Sequence, residues 1–216
     1  FEGGDLSGQS CRGDCGGQSG YVYRIQGRTH RRAMSKPTDA EPVKLIFSVF
    51  APALENINDV VEKLSALYGR PDFISAWMPF DYTDYYQAEM GRGLGRRFLS
   101  MEELIRPETL PDIKLAANNL ENEASKEGRR SVNIDPGYLS AAHLILATGK
   151  GYTHRPYLRD GIYADLTLIY QEKKFLSLPW TYPDYADAGQ LTMFGVIRAR
   201  YLLQLKMLKA AEKTGK

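Results

Sequence analysis

The apolar and polar residues of this chain follow two periodicities that predict alternating strands and helices. Strands are predicted at residues 43–50, 73–80, 97–104 and 131–135. Apolar residues recur at helical spacing after the first strand and again before the last one, which predicts two amphipathic helices. The resulting order, β-α-β-β-α-β, is that of a ferredoxin-like split βαβ unit. It predicts a mainly antiparallel sheet with helices packed on it.

The last third of the chain predicts a short helix, a hairpin and a terminal helix. Residues 139–147 are apolar enough for a short buried helix. Asp160-Gly161, a pair typical of two-residue hairpin turns, separates two segments of strand length. Apolar positions from Phe194 to Leu208 recur at helical spacing. We therefore expect a single α+β domain in which a C-terminal hairpin and helix follow the ferredoxin-like core.

Composition divides the chain near residue 34. Residues 1–33 contain eight glycines and little apolar surface to bury, so we expect a disordered extension, either a non-native start or upstream read-through. The folded domain is then 34–216. Both cysteines, Cys11 and Cys15, lie in the extension, and a domain without thiols suits a reducing, cytoplasmic compartment.

Charge and hydropathy make two classes of partner unlikely for this domain. The chain carries a formal net charge of +2, and the extension supplies that surplus, so the domain itself is electrically balanced. We therefore do not expect a nucleic-acid-binding protein, although local basic patches remain compatible with one. No apolar run approaches the roughly 20 residues that span a bilayer, so no membrane partner is expected.

Carboxylates at the ends of predicted strands are the first candidate chemistry. Asp81 and Asp84 follow the second predicted strand, and Asp135 ends the fourth. Carboxylate oxygens of this kind could bind a divalent cation whose other ligands come from a substrate phosphate, and Asp135 could instead act as a general base. The structural alternatives are a turn for the first two residues and a helix-capping role for Asp135.

Arginines close to glycines are the second candidate. Arg96 and Arg97 end a glycine-rich stretch, and guanidinium groups bind phosphate in a bidentate manner. Arg155 lies in the predicted hairpin and could bind an anion as well. The stretch is not a P-loop, because the required lysine and hydroxyl residues are missing at their positions. A solvated loop explains it equally well.

A histidine paired with a carboxylate is the third candidate. If Asp160-Gly161 is a two-residue turn, His154 and Asp165 lie diagonally opposite on one face of the hairpin. A histidine oriented by a carboxylate is suited to general acid–base catalysis. A turn one residue longer would place Asp165 on the other face, and a lone histidine is often structural.

Several longer strings resemble one protein family. They are PFDYTDYY at 79–86, VNIDPGYL at 132–139, His154-Arg155, GIYA at 161–164 and WTYPDY at 180–185. On these strings the chain resembles the bacterial domain-of-unknown-function family 4416, over about residues 42–205. The family's polar strings overlap these candidates without assigning them a role, and Tyr85, Tyr86, Asn133 and Tyr182 within the strings are further candidate site residues.

Two functional hypotheses follow from the sequence. The first is a small enzyme or ligand-responsive protein that acts on a phosphorylated or otherwise anionic small molecule, with a divalent cation as a possible cofactor. The second is a non-catalytic module whose tyrosine-rich surface binds a protein or RNA. The tyrosines of that surface are Tyr82, Tyr85, Tyr86, Tyr182 and Tyr185.

Overall fold

The computed structural model describes residues 36–81, 86–125 and 129–214. Its strands are β1 (Val43–Ala51), β2 (Pro71–Ile74), β3 (Met78–Pro79), β4 (Gly95–Ile105), β5 (Asn133–Leu139), β6 (His143–Thr148), β7 (Tyr157–Arg159), β8 (Ile162–Gln171) and β9 (Lys174–Ser177). Its α-helices are α1 (Leu54–Tyr68), α2 (Gln87–Met90), α3 (Leu110–Ala124), α4 (Pro183–Ala186) and α5 (Ala188–Thr214). The predicted extension and both cysteines lie outside the described residues.

The strands of the described ranges form one antiparallel sheet in the order β2-β4-β1-β5-β6-β8-β7, with β3 beside β4 and β9 beside β8. Helix α1 connects β1 to β2, and β4 lies between these two strands. Helix α3 connects β4 to β5, and β1 lies between them. Both units are split βαβ units. The predicted α+β fold with a ferredoxin-like core is therefore confirmed.

Helices cover both faces of the sheet, so the central strand β1 is buried along its whole length. Leu45, Phe47 and Val49 share a core cluster with residues of α1 and α3. Ile46 belongs to a second cluster that includes Phe194 of α5. Successive residues of a strand point to opposite faces, which explains why β1 reads as an unbroken apolar run.

The segment 139–147 is not the helix that its composition predicts. Residues from His143 onward form β6, which pairs with β5 on one side and β8 on the other. A short apolar run fits a buried strand as well as a buried helix, and here two neighbouring strands decide the outcome. Strand β5 also continues through Pro136-Gly137 to Leu139 instead of ending at Asp135.

Other boundaries differ in ways that matter for the candidate site. The predicted strand 73–80 is divided into β2 and β3. Strand β4 begins at Gly95, two residues before its predicted start, so Arg96 belongs to the strand together with Arg97. Arg159 pairs with Ile162 as predicted, but an irregularity after Tyr157 shifts the hairpin register. The ladder of the hairpin begins only at Tyr157, so His154 lies in a turn before β7.

No helix in the described part of the chain is long and apolar enough to cross a membrane.

A buried lysine attaches the edge strand β2 to the sheet. Lys44 is fully buried, and its Nζ donates to Asp72 Oδ2 at 2.7 Å and to the Met101 carbonyl at 2.8 Å. Asp72 Oδ1 also accepts a hydrogen bond from Ser100 Oγ at 2.5 Å. A buried ammonium needs such a counter-charge, because an unpaired charge in the protein interior is strongly destabilising.

Asp72→Ala should therefore lower the free energy of unfolding by about 3 kcal/mol, because it leaves the Lys44 ammonium without its carboxylate. Urea denaturation followed by circular dichroism measures the change. Adding Lys44→Met should recover most of the loss. Glu123→Ala, which removes the exposed Lys63–Glu123 pair, is the control and should leave the midpoint nearly unchanged. Equal effects of Asp72→Ala and Glu123→Ala would contradict this role of Lys44.

Candidate functional site

Strands β5 and β6 separate before they reach the end of the sheet. In the described structure their ladder runs only from Gly137–Leu146 to Leu139–Leu144. Pro136, the next residue of β5, has no N–H to donate to a neighbouring strand. We call the unpaired stretch between residues 133–136 of β5 and 147–148 of β6 the fork. At the fork, β5 is a sheet edge inside the molecule.

Two charged side chains of α3 satisfy this internal edge. The Ile134 N–H donates to Glu121 Oε1 at 2.7 Å, and Lys114 Nζ donates to the Ile134 carbonyl at 2.9 Å. Lys114 and Glu121 are 7% and 6% exposed. Buried backbone groups require partners, so these side chains take the place of a neighbouring strand. Burial raises the pKa of the Glu121 carboxyl, although the Lys114 ammonium opposes this shift.

A cavity of about 630 Å³ opens at the fork. Its floor comes from one face of five neighbouring strands, and residues 182–185 cover it. Side chains of α3 reach it through the fork. The residues of the floor are Phe50, Arg96, Asn133, Asp135, Leu146, Thr148 and Asp165, and those of α3 are Lys114, Asn118 and Glu121. We refer to it as the main cavity.

Four carboxylates that line the main cavity have described ion pairs, and Asp135 is the most exposed of them. Its side chain is 32% exposed, whereas those of Glu121, Asp165 and Asp184 are at most 8% exposed. Asn133 Nδ2 donates to Asp135 Oδ2 at 2.7 Å, and Lys114 Nζ lies 3.4 Å from Oδ1. The carboxylate is thus held in one orientation and can still accept hydrogen bonds from a ligand.

Two tyrosines lie within electrostatic reach of Asp135. Burial raises the pKa of Tyr86 and of Tyr185, and the negative charge of Asp135 adds to both shifts. Both phenols therefore remain protonated at neutral pH. They line the main cavity together with Phe50 and Phe80, which gives the cavity an aromatic wall beside its carboxylate.

Arg130 connects the aromatic wall to β5. Its Nε and NH2 atoms donate to the two oxygens of Glu89 at 2.8 and 2.6 Å, and its NH1 donates to Asn133 Oδ1 at 3.3 Å. The hydrogen bonds from Arg130 lower the pKa of the Glu89 carboxyl. The guanidinium lies 5.8 Å from the centre of the Tyr86 ring. This bidentate pair fixes α2 against the start of β5.

Arg96 and Asp184 form a buried ion pair at one end of the main cavity. The Arg96 guanidinium carbon lies 4.1 Å from the centre of the Phe80 ring. Both charged residues also line a second cavity of about 410 Å³, so the pair forms a wall between the two. Arg97 cannot join Arg96 in one anion site, because it pairs with Val49 and so faces the side of the sheet covered by α1 and α3.

Arg155 joins three elements at the other end of the main cavity. Its Nε donates to Asp165 Oδ2 at 2.8 Å, its NH1 to the Lys150 carbonyl at 3.1 Å, and its NH2 to the Tyr182 hydroxyl at 2.7 Å. Asp165 itself is 2% exposed. Arg155, which the sequence predicts to bind an anion, is not itself a lining residue of the main cavity, but all three of its partners are.

His154 and Asp165 approach each other as predicted, but not through the predicted register. His154 Nε2 lies 3.6 Å from Asp165 Oδ2, which is longer than a hydrogen bond. The imidazole stacks on Trp180 with ring centres 4.9 Å apart, and its side chain is 10% exposed. Of the two, only Asp165 is a lining residue of the main cavity. His154 therefore lies beside Asp165 and outside the lining of the main cavity.

The predicted metal ligands do not come together in the described residues. Asp81 is exposed and lines the second cavity, whereas Asp135 lines the main one. Asp84, Tyr82 and Tyr85 lie outside the described residues. Across residues 36–81, 86–125 and 129–214, no three His, Cys, Asp or Glu side chains are grouped to bind a metal ion.

Sequence reasoning missed the charged residues that α3, two loops and the short helix α4 contribute to the main cavity. Lys114 and Glu121 occupy the same helical face as the buried residues Ile113 and Ala117. Charged residues on an otherwise apolar stripe are the signal that could have identified them. Arg130, Lys150 and Asp184 lie in loops or in a short helix and carry no comparable signal.

Glu121→Gln should stabilise the protein at neutral pH and have little effect at pH 4. Because the pKa of Glu121 is raised, the folded state keeps this proton at pH values where the unfolded state has lost it. The contribution of Glu121 to the stability of the wild-type protein therefore declines as pH rises above about 4.5. Glutamine still accepts from the Ile134 N–H. Urea midpoints of both proteins at pH 4 and pH 7.5 measure the difference.

Glu121→Ala is the matched variant, because it removes the acceptor together with the charge. It should cost about 1–3 kcal/mol at both pH values, since the Ile134 N–H is left unpaired. A Glu121→Gln protein that is less stable than wild type at pH 7.5 would contradict the account. It would mean that the attraction of the Glu121 charge to Lys114 and Arg130 exceeds the cost of burying that charge.

Comparison of the chain with known proteins identifies the family to which it belongs. No curated protein and no solved structure matches the chain. The model of a family described as a domain of unknown function (DUF4416) matches residues 41–201, which include the whole sheet and all described lining residues of the main cavity. The chain therefore belongs to the DUF4416 family.

Proposed function

We propose that this protein binds a small anionic molecule in the main cavity and acts on it as an enzyme or responds to it. The observation that carries the proposal is the convergence of basic side chains from four separate parts of the chain on one cavity. These are Arg96 of β4, Lys114 of α3, Arg130 before β5 and Lys150 after β6.

The orientation of Asp135 supports a chemical role for the site. Lys114 and Asn133 fix the carboxylate, so it does not have to reorganise when a ligand binds. A carboxylate in this position accepts a hydrogen bond from a ligand hydroxyl or amine, and could remove its proton as a general base. Asp135 is therefore the residue to which we assign proton transfer, and Asp165 and His154 support the cavity wall.

The burial of the tyrosines favours this proposal over a tyrosine-rich docking surface. Tyr185 is 3% exposed and Tyr86 is partly buried against Phe50. Tyr182 is exposed, but its hydroxyl accepts a hydrogen bond from Arg155. These three tyrosines thus line a concave site, which is the usual shape of a small-molecule site. A cytoplasmic location is part of the same proposal.

A thermal-shift screen of the full chain tests the proposal. The panel contains phosphate monoesters, nucleotides and carboxylates, each with and without Mg²⁺, because carboxylates and substrate phosphates often share a cation. A ligand at a hundred times its dissociation constant adds about 2.7 kcal/mol to the stability of the folded state. For a chain of this size we expect a rise in Tm of about 5–10 °C.

Asp135→Asn should abolish most of the shift, and Lys63→Ala on the distant helix α1 should leave it unchanged. No shift with any anion, for a protein that is well folded, would contradict the proposal. That outcome would favour the non-catalytic module that binds a protein or RNA. A shift that neither Asp135→Asn nor Lys150→Ala reduces would move the ligand out of the main cavity.

A further inference from the structure

Of the four consecutive lining residues that follow the β5–β6 ladder, the last three are Thr148, Gly149 and Lys150. We call them the 148–150 segment. Gly137 pairs with Leu146, so continuing the count places Thr148 across the fork from Asp135. The ladder has ended there, and the two strands are free to lie further apart than the roughly 5 Å between paired Cα atoms. A ligand in the fork therefore contacts Asp135 on one side and the 148–150 segment on the other.

The main chain of the 148–150 segment is fixed at Lys150. The Lys150 N–H donates to Thr148 Oγ1 at 3.2 Å, and the Lys150 carbonyl accepts from Arg155 NH1 at 3.1 Å. Since Thr148 Oγ1 acts as the acceptor in the first bond, its own hydroxyl proton can be directed at a ligand.

Gly149 leaves the middle of the segment open to a ligand. A Cβ atom added at Gly149 would meet no heavy atom within 4 Å. The backbone around Gly149 is therefore accessible to a group larger than water. The glycine is not required by left-handed backbone geometry, because its φ lies outside that region. Its small size instead leaves space at the cavity wall.

We infer that the 148–150 segment binds a phosphate group and that Asp135 binds a hydroxyl group of the same molecule, so the ligand is a phosphate ester of a polyhydroxy compound. This inference rests on the proposed function. A lysine ammonium and a threonine hydroxyl are common donors to phosphate oxygens. An ionised carboxylate only accepts hydrogen bonds, so the part of the ligand at Asp135 must donate.

The size of the site supports a ligand of this class. Phosphate at the 148–150 segment and a hydroxyl at Asp135 are separated by little more than one strand spacing, which is the distance covered by a short carbon chain. The main cavity of about 630 Å³ has space for a sugar ring beside the aromatic wall. Asn118, which lines the cavity from α3, is placed to contact further hydroxyl groups.

Isothermal titration calorimetry on the full chain tests this inference. The probes are glucose 6-phosphate, ribose 5-phosphate and glycerol 3-phosphate, each compared with its unphosphorylated parent and with inorganic phosphate. At least one ester should bind ten-fold or more tightly than inorganic phosphate, and the parents should bind least. Lys150→Ala should weaken both the esters and inorganic phosphate by at least ten-fold. Asp135→Asn should weaken the esters and leave inorganic phosphate unchanged.

Glycine variants provide a second measurement that does not depend on charge. Gly149→Val should preserve the melting temperature and lower ester affinity by at least ten-fold, because its side chain occupies the space of the phosphate. Gly195→Ala is the matched control, since Gly195 in α5 also has open space around it. It should leave ester affinity unchanged and should not lower the melting temperature, since alanine is a better helix former than glycine.

Two results would overturn the inference. One is an ester affinity no greater than that of inorganic phosphate, and the other is unchanged ester affinity in Lys150→Ala or Gly149→Val. If another anion raises Tm in an Asp135-dependent manner while the esters do not bind, this inference fails and the proposed function stands. If no anion of any class binds, both fail.

Discussion

The structure depends on how the backbone of Ile134 is satisfied. In a continuous sheet, its N–H and carbonyl would pair with β6. Here the N–H donates to Glu121 of α3, and the carbonyl accepts from Lys114 of the same helix. Because the side chains replace a strand, β5 and β6 can separate without leaving buried polar groups unpaired. The separation creates the fork, and the fork gives the main cavity its depth.

The rest of the site follows from this opening. Arg96 and Arg155 stand on opposite sides of it, and they contact Asp184 and the hydroxyl of Tyr182, which are two residues apart. These contacts fasten the covering segment to both sides of the sheet. Buried ion pairs are rarely the most stabilising use of a protein interior. The apolar clusters on the two faces of the sheet provide most of the stability.

The fold was largely predictable from sequence, because its helical stripes are long and strongly periodic and the β1 run is apolar without a break. The segment 139–147 was not, since a run such as Leu144-Ile145-Leu146 fits a strand or a helix until its neighbours are known. The nearness of His154 to Asp165 was predicted from a hairpin register that does not occur. The two residues meet because the turn before β7 folds back onto β8. Lys114 and Glu121 could not be assigned a role, because the backbone groups they satisfy are exposed only by a break in the sheet.

Backbone amide chemical shifts, recorded by NMR during a titration with inorganic phosphate, test the central claim most directly. The claim is that the fork is an accessible, preformed anion site. It predicts that the largest changes occur at residues 133–135 and 148–150 and at Tyr182, Asp184 and Tyr185, with little change in α1 or in the second half of α5. Changes confined to those helices, or no change around the fork at phosphate concentrations that saturate a weak site, would contradict it.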